Sequence, residues 1–147
     1  MQHRFISYNV IQTSEFSCKL AQRLKGGEVI CLRGDLGSGK TVFASSIIKY
    51  FCGRIRVLSP TFIIVRHYSV ENSRINHILH IDLYRLEKYH EIMDLGLNEF
   101  MNKPDSIVII EWAEKMGNLL PPKYIDVMIN VMKNNQREVI LRYVKQS

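Results

Sequence analysis

The chain has 147 residues, 46% of them hydrophobic and 23% charged, and 20 Lys and Arg against 14 Asp and Glu give a net charge of +6. That length is one domain's worth, and the composition is that of a globular chain with its own core, which excludes disordered, collagen-like and mucin-like readings. The basic balance calls for an anionic partner without naming one, and no apolar run approaches the ~20 residues of a membrane span.

The N-terminal Met1-Gln2-His3-Arg4-Phe5 lacks the apolar stretch of a signal peptide. Cys18, Cys31 and Cys52 are odd in number, far apart and without a CxxC pair. They form neither a disulfide framework nor a zinc site, so a reducing, cytoplasmic setting with no membrane contact is expected.

The first predicted helix starts near Thr13-Ser14, with Ser14 as its cap, Phe16, Leu20, Ala21 and Leu24 at helical spacing, and Gly26-Gly27 as its end. A short buried strand, Val29 to Leu32, leads into the Gly-rich turn Gly34 to Gly39. A second helix begins near Lys40, shows an apolar face of Phe43, Ala44, Ile47, Ile48 and Phe51, and stops at Gly53. Arg56 to Leu58 and Phe62 to Tyr68 read as strand on either side of Ser59-Pro60-Thr61, and Asn72-Ser73 as a turn. Ile78 to Ile81 is a strand ending at Asp82. Short helices are predicted over 87–93 and 97–101, then a strand from Ile107 to Ile110 ending at Glu111-Trp112. Tyr124 to Met132 and Val139 to Val144 flank a polar turn as a terminal hairpin. No linker, repeat or low-complexity tract interrupts residues 1–147, which read as a single domain. The pattern predicts an α/β, P-loop NTPase-like three-layer fold with a mixed, partly parallel sheet and a C-terminal β-hairpin.

Gly34-Asp35-Leu36-Gly37-Ser38-Gly39-Lys40-Thr41 matches G-x-x-x-x-G-K-[ST] at every fixed position. Glycines let successive N–H groups turn inward and cradle phosphate oxygens, and the helix starting at Lys40 adds its positive dipole end. The candidate nucleotide-binding residues are Asp35, Leu36, Gly37, Ser38, Gly39, Lys40, Thr41 and Val42. Lys40 is expected on the β- and γ-phosphates and the Thr41 hydroxyl on Mg²⁺.

Such a site needs an acid, and two strands end in one, at Asp82 and Glu111. If both run parallel to Val29–Leu32, both carboxylates reach the P-loop edge of the sheet, one for the metal and one for the attacking water. A hydroxyl from Ser59-Pro60-Thr61 is a candidate γ-phosphate sensor. Two other patterns are set aside, and a third stays open. Asn102-Lys103-Pro104-Asp105 has N-K-x-D form but precedes its strand, which puts it at the opposite edge. His77 and His80 are an odd offset apart on a strand and face opposite ways. Arg137, Arg142 and Lys145 are a basic tail, either solvated or a surface for RNA or an acidic protein.

The P-loop, Ser59-Pro60-Thr61-Phe62, Asp82-Leu83-Tyr84-Arg85-Leu86 and Glu111-Trp112 together resemble, in order and spacing, the TsaE (YjeE) family of small bacterial P-loop ATPases. Two departures are Ser38, where Ala is usual, and Ser17 in the first helix, where Thr is common and adenine contacts are made. The resemblance implies a role in N6-threonylcarbamoyladenosine (t6A) modification of tRNA, with ATP and Mg²⁺ as ligands. It implies action on a TsaD–TsaB complex, in which TsaD transfers the threonylcarbamoyl group and ATP hydrolysis supports repeated turnover, tRNA being reached only through that complex. By motif it places Lys40 on phosphates, Thr41 and Glu111 on Mg²⁺, Asp82 as the catalytic or water-orienting acid, Thr61 as the switch residue and Trp112 beside the site. Water attack on ATP is the expected chemistry. Arg85 is the nearest in-chain candidate for an arginine finger, and a partner is the other source. The alternatives are a nucleotide switch without hydrolysis and a small P-loop kinase. A kinase needs an Arg-bearing lid, and the one stretch long enough, residues 87–103, has no Arg.

Overall fold

The computed structural model describes residues 1–71 and 73–147, so the Asn72 half of the expected Asn72-Ser73 turn lies outside the described residues. Seven strands form one sheet: β1 (Gln2–Ser7), β2 (Val29–Arg33), β3 (Val65–Ser69), β4 (His77–Asp82), β5 (Ser106–Glu111), β6 (Lys123–Val131) and β7 (Arg137–Lys145). Their spatial order is β1-β7-β6-β2-β5-β4-β3. The central four, β6, β2, β5 and β4, are parallel, while β1, β7 and β3 pair antiparallel at the flanks. The sheet is mixed and partly parallel, and it ends in the expected hairpin.

Alternation along the buried strands sends side chains to two separate cores. Ile30, Leu32, Ile107 and Ile109 meet α1 (Val10–Ala21) and α2 (Lys40–Cys52) on one face. There Phe43, Ile47 and Ile48 are fully buried, each stabilising by about 1.5–3 kcal/mol relative to exposure. Val29, Cys31, Val108 and Ile110 meet Ile92 of α3 (Tyr89–Met93), Leu97, Met101 and Met116 on the other. That gives the three layers.

Several boundaries differ from the sequence reading. Helix α1 begins earlier than expected, at Val10, because the Asn9 carboxamide, not Ser14, caps it by accepting from Gln12 N–H at 2.9 Å. It ends at Ala21, so Gly26 and Gly27 form the turn into β2 rather than the helix stop. Residues 87–93 and 97–101 shorten to α3 and a 3-10 turn over Leu97–Glu99. Arg56 to Leu58 are not strand, and neither are Phe62 to Ile64. The N–H groups of Ile63 and Ile64 both donate to Pro60 O, at 3.1 and 2.6 Å, closing a turn that leaves Phe62 79% exposed. Strand β1 has no alternation to betray it: Gln2, His3 and Arg4 are exposed. It is held by pairing with β7 and by Phe5 stacking on Phe16 at 4.9 Å. Among the described residues no helix is long and apolar enough to cross a membrane.

Candidate functional site

The parallel register brings the ends of three strands to one edge. Leu32 of β2 lies beside Glu111 of β5, and Glu111 beside Asp82 of β4. The chain leaves β2 through the Gly-rich loop and enters α2 at Lys40. Gly34, at φ 145°, tolerates no side chain, since a Cβ there would lie 2.4 Å from Ile129 O and 2.6 Å from Ser38 Oγ. Around Gly37 and Gly39 a Cβ would meet nothing within 4 Å, so this part of the loop opens onto free space.

That space is a cleft of about 320 Å³ lined by Leu36, Gly37, Gly39, Lys40, Thr41, Val42, Thr61, Asp82, Tyr84, Glu111 and Trp112. Ten of the twelve expected site residues therefore converge. Asp35 and Ser38 do not line it. Asp35 meets Lys40 through its carbonyl, and Ser38 is buried, its Oγ without a partner among the described residues.

Lys40 is only 5% exposed. Its Nζ donates to Gly34 O at 2.6 Å and Asp35 O at 2.9 Å, and lies 4.3 Å from the centre of the Trp112 ring. Burial pushes the ammonium pKa below its ordinary value, while the charges of Glu111, Glu114, Asp82 and Asp35 oppose the fall. Two hydroxyl–carboxylate pairs face it. Thr41 Oγ1 donates to Glu111 Oε1 at 2.9 Å, and Thr61 Oγ1 donates to Asp82 Oδ2 at 2.6 Å. Asp82 Oδ1 also accepts from Tyr84 N–H at 2.9 Å. Trp112 adopts φ 59°, an uncommon conformation for a bulky side chain, directly after Glu111.

The donor set suits a small hard cation. Thr41 and Glu111 offer oxygen ligands within hydrogen-bond reach of each other, and no cluster of three or more His, Cys, Asp or Glu forms a full cage among the described residues. Such a pair would suit Mg²⁺ whose remaining ligands come from phosphate and water.

The other patterns fall where the strand directions put them. Asn102 to Asp105 precede β5 at the opposite edge, packed on Gly26 and Gly27. His77 is half-exposed and His80 buried. Ser17 is buried between helices, its Oγ donating to Phe43 O at 2.6 Å, and does not reach the cleft. Arg85 is exposed, its guanidinium 4.2 Å above the Phe62 ring, and does not line the cleft either. The basic tail is not simply solvated: Arg142 pairs with Asp126 at 2.7 Å. Arg137 binds the P-loop itself, with Nε to Ser38 O at 3.0 Å and Nη2 to Gly37 O at 3.3 Å. Motif reading places Arg137 only in a basic tail, because β7 reaches the loop only through the sheet order. It weighs His80 only as half of an HxxH pair and not for Glu111, whose Oε2 its Nε2 meets at 2.6 Å.

A phosphate-cradling loop on a parallel strand, opposed by acids from two neighbouring strands, is the architecture of P-loop nucleotide-binding proteins. The family described as threonylcarbamoyl adenosine biosynthesis protein TsaE matches residues 7–139. The TsaE protein of Rickettsia conorii is 42% identical over 127 residues, covering 86% of this chain and 70% of the relative. That of Bacillus subtilis is 32% identical over 139 residues, covering 94% and 84%. The crystal structure of Bacillus subtilis YdiB superposes with a TM-score of 0.81 at 26% identity, covering 98% of this chain and 86% of that one. The chain belongs to the TsaE family, whose role lies in tRNA threonylcarbamoyladenosine biosynthesis.

Proposed function

We propose that this protein is a Mg²⁺-dependent ATPase that serves t6A synthesis by acting on a TsaD–TsaB complex. The observation that carries the reading is the convergence of the Thr41–Glu111 and Thr61–Asp82 pairs on the buried Lys40 ammonium. Lys40 swings from the carbonyls of Gly34 and Asp35 to the β- and γ-phosphates. Loop N–H groups and the α2 N-terminus hold the remaining phosphate oxygens. Thr41 and Glu111 would hold Mg²⁺, which would supply positive charge to the phosphates. Asp82 orients the attacking water, and Thr61, sharing its hydroxyl with Asp82, reports the γ-phosphate. The water oxygen bonds to the γ-phosphorus as the bond to the β,γ-bridging oxygen breaks, giving ADP, phosphate and a proton. Arg137 braces the loop, and Trp112 covers the lysine.

Among the described residues no arginine lines the cleft, so transition-state charge is only partly met and turnover alone is slow. Leu36 and Tyr84 line the cleft yet are 73% and 45% exposed, and Phe62, next to Thr61 in the chain, is 79% exposed; these apolar side chains suit a protein partner that covers it. The kinase alternative lacks a lid: Ile92, Leu97 and Met101 of the 87–103 stretch are buried in the core. Product analysis tests the reading. Free phosphate from ATP is expected. A phosphorylated small molecule would indicate a kinase, and ATP binding with no turnover even alongside TsaD–TsaB would indicate a switch.

A further inference from the structure

Glu111 is almost wholly buried, at 2% exposure, and its two oxygens have different partners. Oε1 faces the Thr41 hydroxyl, and Oε2 faces Nε2 of His80 at 2.6 Å. His80 sits on β4 with no solvent exposure. Its other nitrogen, Nδ1, is buried and has no partner among the described residues, so the imidazole spends its one hydrogen bond on Glu111. An ionised carboxylate accepts only, so the ring is the donor, through an Nε2–H. A histidine that merely filled this apolar strand would leave two polar atoms buried at a cost that leucine avoids.

We infer that His80 is a positioning residue for the metal site. Its N–H holds the Glu111 carboxylate in one rotamer, with Oε1 turned toward Thr41 and the cation, and offsets the cost of burying that charge. His80 touches neither nucleotide nor metal. It acts as the outer partner that orients a ligating carboxylate, a role whose loss lowers metal affinity by roughly 10- to 100-fold in other metal sites. The inference rests on the Mg²⁺–nucleotide reading of the cleft.

The test is calorimetric binding of ADP with excess Mg²⁺ and again in EDTA, for the wild type, His80→Phe and His80→Gln. Phenylalanine fills the space without a donor. Glutamine places an N–H close to where Nε2 lies. The wild type should bind ADP more tightly with Mg²⁺. His80→Phe should lose about tenfold or more of the Mg²⁺-supported affinity and keep its EDTA affinity, and His80→Gln should recover most of the loss. Equal losses with and without Mg²⁺, or failure of glutamine to restore a fold that phenylalanine destroys, would mark His80 as structural and overturn the inference. So would an unchanged Mg²⁺ response in His80→Phe. A wild type indifferent to Mg²⁺ would instead overturn the metal reading beneath it.

Discussion

Lys40 shows how a single side chain is poised. It is buried yet charged, held by two loop carbonyls and an aromatic face, with four acidic groups opposing the burial that lowers its pKa. Phosphate oxygens would replace neutral carbonyls with charged acceptors, which strengthens each hydrogen bond. Replacing Lys40 by Ala should therefore weaken ATP binding by about 10- to 100-fold, the worth of one or two charge-assisted bonds, without unfolding the protein. Fluorescence titration with a labelled ATP analogue checks this, and unchanged affinity would remove Lys40 from the site. At this scale the motif residues were legible because each chemical type has one job at a fixed spacing. His80 and Arg137 were not. Their roles come from strand neighbours, His80 through β4 lying beside β5 and Arg137 through β7 reaching the loop, and no local spacing carries that information.

Among the elements, the buried parallel strands were the most legible. Val29 to Leu32 and Ile107 to Ile110 are continuous apolar runs covered on both faces, which is how such strands must read. The run Phe62 to Ile64 has the same composition but forms a turn, because Pro60 O captures two successive N–H groups and Ile64 takes φ 70°. A β-branched residue held there is strained, and it lies three residues from Thr61. The edge strand β1 was illegible for the opposite reason, being polar and dependent on a partner at the other end of the chain. The glycine turn before β2 gives a sharp test. A Cβ at Gly26 would sit 1.9 Å from Pro104 O, a backbone atom that cannot swing aside, whereas one at Gly37 meets nothing within 4 Å. Gly26→Ala should cost about 2–4 kcal/mol, and Gly37→Ala about 1 kcal/mol from its positive φ alone. Urea denaturation separates them, and equal costs would contradict the packing described.

For the whole molecule, the excess positive charge is spread over several tasks. Lys40 and Arg137 serve the loop, while Arg33 and Arg142 both pair with buried Asp126, at 2.6 and 2.7 Å. Less of the basic tail is therefore left for an outside partner than its sequence suggests. The tight central sheet also controls Cys31, whose thiol burial pushes from 9.0 to about 12. The folded protein keeps that proton while the unfolded chain gives it up, so this group lowers stability as pH rises from about 9 to about 12 and has no effect below. In alkylation at pH 8, Cys31 should stay unmodified until urea unfolds the sheet. Labelling in the native protein would show that β2 opens.

The central claim is that the cleft hydrolyses ATP and that a TsaD–TsaB complex accelerates it. Phosphate release from ATP, measured for the protein alone and with TsaD–TsaB and tRNA, tests this most directly. Release should be slow alone, rise on the order of tenfold or more when the complex completes the site, and be lost in both settings in Lys40→Ala. Release that the complex leaves unchanged, together with a Lys40→Ala variant as active as the wild type, would contradict it.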